Sequence, residues 1–400
     1  MAVGRYGTLP PFDTGETSAA GASFQDDKLV MQISNNLDAT ASAWHDVLHS
    51  KVSILLLLVP LTIVAEFFFV QHRTAVFFLS AFTMIPLAHF LSESTEHLAV
   101  HTGQTIGGLL NVTLGNAGEL LIGYFALRHG LDGVVKASIT GSILGNLLLA
   151  LGLSIVTAGA RKKTLKFNAL AARTRATMLA LAGLSLILPA AYHYAVTSRT
   201  AGQEADLSTE FSVILLITYG LSLLFTLRTH NQLLSPPRET GDRGAVWTKK
   251  SAVTVLLLSS VFIGWISEIL AGSVEAAAKQ LGLSDLFVGV IVIAIAGNAA
   301  EGLSAIRSAL AGRMDLSVGI SLGSSTQIAL FAAPALVLIS RFTGHGPMNL
   351  LFSPIEITAL VLAMAITGQI AGDGDSNWFE GVQLLAVYLM LAAMFFLIPG

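Results

Sequence analysis

The sequence predicts an all-α polytopic membrane protein of about eleven transmembrane helices, one N-terminal helix followed by two inverted five-helix repeats. Three observations carry that prediction. Hydrophobic residues make up 53% of the 400 and charged residues only 12%, against about 25% charged in an ordinary soluble domain. The chain contains long uncharged stretches, each near the roughly 20 apolar residues that cross about 30 Å of hydrocarbon. Two of these stretches carry the same polar pattern at one fixed offset.

Taken in order, residues 1–50 are polar, rich in Gly, Ser, Thr and Asp, and lack an apolar leader segment, so they read as a mobile tail. A first helix occupies 51–73. Apolar runs fall near 52–70, 75–98, 103–128, 133–160, 175–195, 210–228, 251–278, 285–311, 315–340, 350–371 and 378–399. They are continuous, without the ten-residue alternation of a membrane barrel, so helices are expected. Residues 229–250, with Ser235-Pro236-Pro237, form a polar linker between a first repeat at 74–228 and a second at 251–400. Five spans per repeat turn the second upside down relative to the first, as in many transporters.

Orientation follows the basic residues. Arg161, Lys162, Lys163, Lys166, Arg173 and Arg175 cluster after the fourth span, which predicts a cytoplasmic N-terminus and a C-terminus outside. A net charge of −3 argues against nucleic acid as a partner. The absence of cysteine excludes disulfides, zinc-thiolate sites and thiol catalysis. The lipid bilayer is the expected surrounding, a bacterial cytoplasmic membrane or a vacuolar one in a eukaryote. A homo-oligomer is compatible with the sequence.

The repeat is visible residue by residue. Gly115-Asn116-Ala117-Gly118-Glu119 lies in the third span and Gly297-Asn298-Ala299-Ala300-Glu301 in the eighth. Asn116 and Asn298, Glu119 and Glu301, and Ser142 and Ser324 each differ by 182 in residue number, as do Gly107 and Gly289, and Gly130 and Gly312. One ungapped register over some forty residues points to duplication.

An ionised carboxylate in mid-span costs at least about 2.5–3.5 kcal/mol. Glu119 and Glu301 therefore read as an ion or proton site near the midplane. Ca²⁺ takes about six to eight oxygens. The two glutamates offer carboxylates, and Asn116 and Asn298, one turn earlier, offer amide oxygens on the same face. Ser142, Ser324 and Gln327 are placed to complete the shell, and Gly115 and Gly297 permit local breaks that expose carbonyls. Two carboxylates are neutralised equally by one divalent cation or by two protons, and removal from water favours the neutral form of a carboxyl group. A site that crosses the membrane only when filled by one or the other is an antiporter.

The same residues resemble the calcium/proton exchanger (CAX) family within the cation/Ca²⁺ exchanger superfamily. The likeness is carried by Pro86-Leu87-Ala88, Ser94-Thr95-Glu96, Gly107-Gly108-Leu109-Leu110-Asn111, GNAGELLIGYFALRHG at 115–130 and GSILGNLLLALG at 141–152. SEILAGSVE at 267–275, VGVIVIAIAGNAAE at 288–301, MDLSVGISLGSSTQIALF at 314–331 and DGDSNWFEG at 373–381 extend it nearly to the end. The resemblance implies that Glu119 and Glu301 bind Ca²⁺ and protons, with Asn116, Asn298, Ser142, Ser324 and Gln327 nearby. It also implies that Glu96 lies on the ion path, with Glu268 or Glu275 as further candidates. Gly118 stands where the family has a β-branched residue, and 229–250 lacks the family's acidic stretch.

Other motifs carry less. Gly319-Ile320-Ser321-Leu322-Gly323 fits the nucleophile pattern G-x-S-x-G, which needs a strand-turn-helix setting, whereas an apolar helix is expected here. His97 and His101 have zinc spacing but not the HExxH order, and fit histidines at the cytoplasmic mouth. Asp373, Asp375 and Asn377 imitate a Ca²⁺ loop without its Gly and Glu. No nucleotide-binding motif is present, so an ion gradient must supply the energy and no cofactor is expected. A Na⁺-driven Ca²⁺ exchanger is the nearest alternative and a passive cation channel the next.

Overall fold

The computed structural model describes residues 52–69, 71–102, 113–196, 201–229 and 247–399. The predicted tail, Gly103, Gly107-Gly108-Leu109-Leu110-Asn111 and most of the predicted linker lie outside the described residues. Within them run α1 (Ser53–Phe68), α2 (Arg73–Thr102), α3 (Ala117–Arg128), α4 (Asp132–Gly159), α5 (Ala169–Ala195) and α6 (Gly202–Thr229). After residue 247 follow α7 (Lys249–Leu281), α8 (Asp285–Leu310), α9 (Met314–Ser340), α10 (Pro354–Asp373) and α11 (Trp378–Leu397). Nine helices among the described residues are long and apolar enough to cross a membrane. The other two, α1 and the 12-residue α3, are shorter.

Local chemistry sets the ends. Asn168, Thr248 and Ser284 cap α5, α7 and α8 by accepting backbone N–H bonds from Ala171, Ser251 and Phe287, the preferred way to satisfy a first turn. Gly130 and Gly312 close the α3 and α8 turns at φ +73° and +80°, a region glycine enters without steric penalty. These two glycines are 182 residues apart. The same shift relates two wide turns with π-helical bonding, Gly145–Ala150 in α4 and Ile328–Ala332 in α9.

Two details depart from the expected pattern. The tenth run was placed from residue 350, but α10 begins at Pro354, where Ser353 and Glu356 form a reciprocal capping box. Met348, Leu350 and Phe352 are buried in the non-helical chain before it, so hydropathy counts them as span although they only pack inward. The fold is also not purely helical. Leu165–Lys166 (β1) pairs antiparallel with Asp375–Ser376 (β2), because two loops meet at one end of the bundle and pair their backbone groups.

Packing centres on α4 and α8. A Cβ on Gly141 would lie 2.6 Å from backbone carbons of Val290, with the Val290 carbonyl oxygen nearer still. On Gly289 it would lie 2.9 Å from the carbonyl oxygen of Val134. Small residues thus bring these two backbones into direct contact, as in close membrane-helix crossings. Around them α2 packs along α7, and α8 packs against α2 and α9. The outer faces of α5, α6 and α11 expose Leu181, Leu184, Leu188, Ile214, Ile217, Leu221, Leu389 and Phe396, the apolar surface an integral membrane protein turns to lipid.

Candidate functional site

Glu119 sits in the first turn of α3, directly after a non-helical turn at Gly115-Asn116, where Asn116 has φ −97° and ψ 16°. Glu301 lies within α8, which runs through Gly297 without a break. The break expected at both glycines is therefore found at Gly115 only. In α8 the irregularity is the wide turn Val288–Ile293, which absorbs the distortion two residues before Gly297 is reached from Ala294 onward.

A cavity of about 510 Å³ reaches this region, lined by Glu96 from α2, Asn116, Glu301 from α8, and Ser324 and Gln327 from α9. Asn116 donates from Nδ2 to Oε1 of Gln327, tying the start of α3 to α9. Oε2 of Glu301 is buried with no hydrogen-bond partner among the described residues. Such an orphan acceptor is costly and suits a carboxylate that must receive an ion or a proton.

Glu119 and Ser142 lie elsewhere, beside a closed void of about 20 Å³ with Gly297 and Ile293, roughly the space of a single water. Between the two compartments stands Asn298. It donates to Ser142 Oγ at 2.6 Å and to the Ala294 carbonyl at 2.9 Å, and accepts from Asn146 Nδ2 at 3.1 Å. The two glutamates remain close enough that Glu119 feels the charge of Glu301. The predicted residues thus fall into two groups: Glu301, Asn116, Ser324 and Gln327 with Glu96 on the open side, and Glu119, Asn298 and Ser142 on the closed side. Among the described residues no three Asp, Glu, His or Cys side chains converge to hold a metal. Amide and hydroxyl oxygens must supply most of any shell.

Other candidates sit apart. Glu268 of α7 faces His129 at 3.9 Å and Glu275 is exposed; neither lines the cavity. His97 stacks on the buried Trp247 with ring centres 4.5 Å apart, and Nε2 of His101 is 2.6 Å from the Trp247 carbonyl oxygen. Those histidines pin the start of α7 to α2. Ser321 is fully buried inside helical α9, the wrong setting for a nucleophile elbow. Asn377 caps α11, so Asp373, Asp375 and Asn377 belong to the α10–α11 connection.

Sequence reasoning missed three residues. Asn146 joins the Asn298 bridge; its signal was a buried amide in mid-span, hidden because the offset position is Ile328. Arg175 and Asp315 line the cavity mouth and interact electrostatically. Arg175 was counted only for orientation.

A sequence model of the sodium/calcium exchanger protein family matches residues 72–228 and 251–397. The chain belongs to this family. Among its relatives is the Ca(2+)/H(+) antiporter of Aphanothece halophytica, 39% identical over 86% of this chain and 96% of that protein. The Ca(2+)/H(+) antiporter ChaA of Bacillus subtilis is 40% identical over 85% and 97%. The vacuolar calcium ion transporter of Schizosaccharomyces pombe is 35% identical over 98% and 95%. Of solved structures, native YfkE superposes with a TM-score of 0.75 at 38% identity, covering 87% of this exchanger-family chain and all of that one. An H⁺/Ca²⁺ exchanger CAX shares the fold at TM-score 0.66 and 16% identity, over 86% of this chain and 91% of that one.

Proposed function

We propose that this chain exchanges Ca²⁺ for protons across a membrane by alternating access, as a transporter rather than an enzyme. The observation that carries the reading is the buried, unpartnered Oε2 of Glu301 at a polar cavity, within electrostatic reach of Glu119 on the closed side. One Ca²⁺ or two protons would neutralise this pair, and either permits it to cross without bare charge in hydrocarbon. Asn116, Ser324 and Gln327 offer oxygens beside Glu301, and Asn298 and Ser142 beside Glu119. Glu96, on the cavity wall, is placed to pass protons. The antiporter relatives at 35–40% identity support Ca²⁺ and H⁺ as the exchanged ions.

The two segments matched by the family model, the 182-residue offset and the paired wide turns in α4 and α9 support two inverted repeats. The cavity mouth is formed at 167–175, beside the basic cluster 161–166. With that cluster inside, the N-terminus is cytoplasmic and the structure is open to the cytoplasm. Bacterial relatives favour a cytoplasmic membrane, and vacuolar ones mark the eukaryotic equivalent.

The test uses Na⁺-free liposomes with an imposed pH gradient and labelled Ca²⁺. Uptake above equilibrium in the wild type, abolished by Glu119→Gln and by Glu301→Gln, is expected. Uptake only after Na⁺ is loaded inside would move the chain to sodium-driven exchange. Full activity in both variants would remove the assigned site.

A further inference from the structure

At the cytoplasmic end of α4, away from the ion cavity, a second pocket of about 570 Å³ is lined by Arg161, Lys162, Lys163, Asn377 and Trp378. It exists because α4 and α11 meet without side chains between them. A Cβ on Gly159 would lie 2.9 Å from the backbone of Trp378, and one on Gly381 would lie 2.8 Å from the Gly152 carbonyl oxygen. That crossing sets the three consecutive cations directly beside the first turn of α11.

Four features of this pocket fit one another. Arg161, Lys162 and Lys163 are all exposed, and among the described residues none of them makes an ion pair. The nearest acid in the adjoining ladder, Asp375, stands opposite Lys166. Trp378 is 52% exposed and Phe379 54%, the position of an interfacial aromatic belt. Below them α11 turns the exposed Val382, Leu389 and Met390 outward, a surface for acyl chains.

We propose that this pocket binds the phosphate headgroup of an anionic phospholipid, with Lys162 and Lys163 on the phosphate, Trp378 at the glycerol level and the α11 face along the chains. Positive-inside placement alone requires cations near this end of the helix but neither a cavity nor an aromatic floor. The apolar face leading out of the pocket is what selects a lipid over a soluble phosphate.

The test places the full chain in phosphatidylcholine vesicles carrying brominated phosphatidylglycerol or, at equal density, brominated phosphatidylcholine. Quenching of Trp378 is isolated by subtracting the signal of Trp378→Phe. The wild type should prefer the anionic lipid, with each lysine contributing roughly fivefold. K162Q/K163Q should lose that preference while keeping wild-type Ca²⁺ uptake, which shows that it is folded. Millimolar inorganic phosphate should leave the preference unchanged. An undiminished preference in K162Q/K163Q would overturn the site. Loss of the preference on adding inorganic phosphate would overturn the lipid as occupant.

Discussion

Adding a single methyl group at either of two related glycines should drive the transporter in opposite directions. Gly141 presses on the backbone of Val290, and a Cβ there would meet carbon atoms at 2.6 Å, where ordinary contact begins at 3.4 Å. Gly323, its counterpart 182 residues on, has nothing within 4 Å of a built Cβ and lines the cavity. If the repeats exchange conformations, Gly323 is pressed and Gly141 released in the opposite state. Overpacking against backbone costs about 1–3 kcal/mol, or roughly 5- to 150-fold in a two-state population. Gly141→Ala should therefore disfavour the cytoplasm-open state and Gly323→Ala should hold it. The chain has no cysteine, so Ser304→Cys in the cavity wall gives a clean reporter for an impermeant maleimide. Labelling from the cytoplasmic side should slow in Gly141→Ala and be retained or rise in Gly323→Ala, and transport should fall in both. Equal labelling in both variants, with transport intact, would refute the exchange of roles between the repeats.

Two further outcomes follow from side chains at the two ends. Arg175 and Asp315 sit at the cavity mouth, where one charge alters the local concentration of a divalent cation. Arg175→Gln should lower the apparent KM for Ca²⁺ by roughly two- to fivefold at low ionic strength, and the difference should shrink as salt screens it; an unchanged KM at low salt would remove Arg175 from the ion path. At the other end Glu356 closes the capping box of α10 and accepts from Thr140 Oγ1 at 3.1 Å. Glu356→Ala should cost about 2–3 kcal/mol of stability, from the lost cap and an unpaired hydroxyl. Glu356→Gln should retain most of it, because Gln also serves a capping box. Thermal melts of the two variants check this, and equal melting would show that the box contributes little.

Much of the fold was legible because a membrane allows few backbone solutions. The charge-free runs mark the helices, and Ser353-Pro354 with Glu356 marks the true start of α10, a capping signal that outweighs the apolar residues before it. The glutamates were legible for the same reason: a charge in mid-span has few structural excuses. What stayed hidden depends on conformation. Nothing in GNAGE against GNAAE says that one carboxylate meets water while the other is enclosed, or that only Gly115 adjoins a break. Arg175 looked like an orientation charge because a linear reading cannot show that the first turns of α5 curl over the cavity. The small ladder between β1 and β2 joins segments more than 200 residues apart, which no local pattern announces.

The Asn298 bridge makes the two carboxylates a queue rather than a pair. Glu301 faces the bath, whereas Glu119 sits behind an amide already engaged by Ser142 and Asn146. An ion arriving from the cytoplasm meets Glu301 first, and whatever occupies Glu119 leaves by way of it. After the switch, the order runs from the other end. The last ligand taken up on one side is then the last released on the other, so leakage of a single proton requires emptying the whole file. Strict coupling would thus be a matter of traffic order, set by which asparagine stands in the middle.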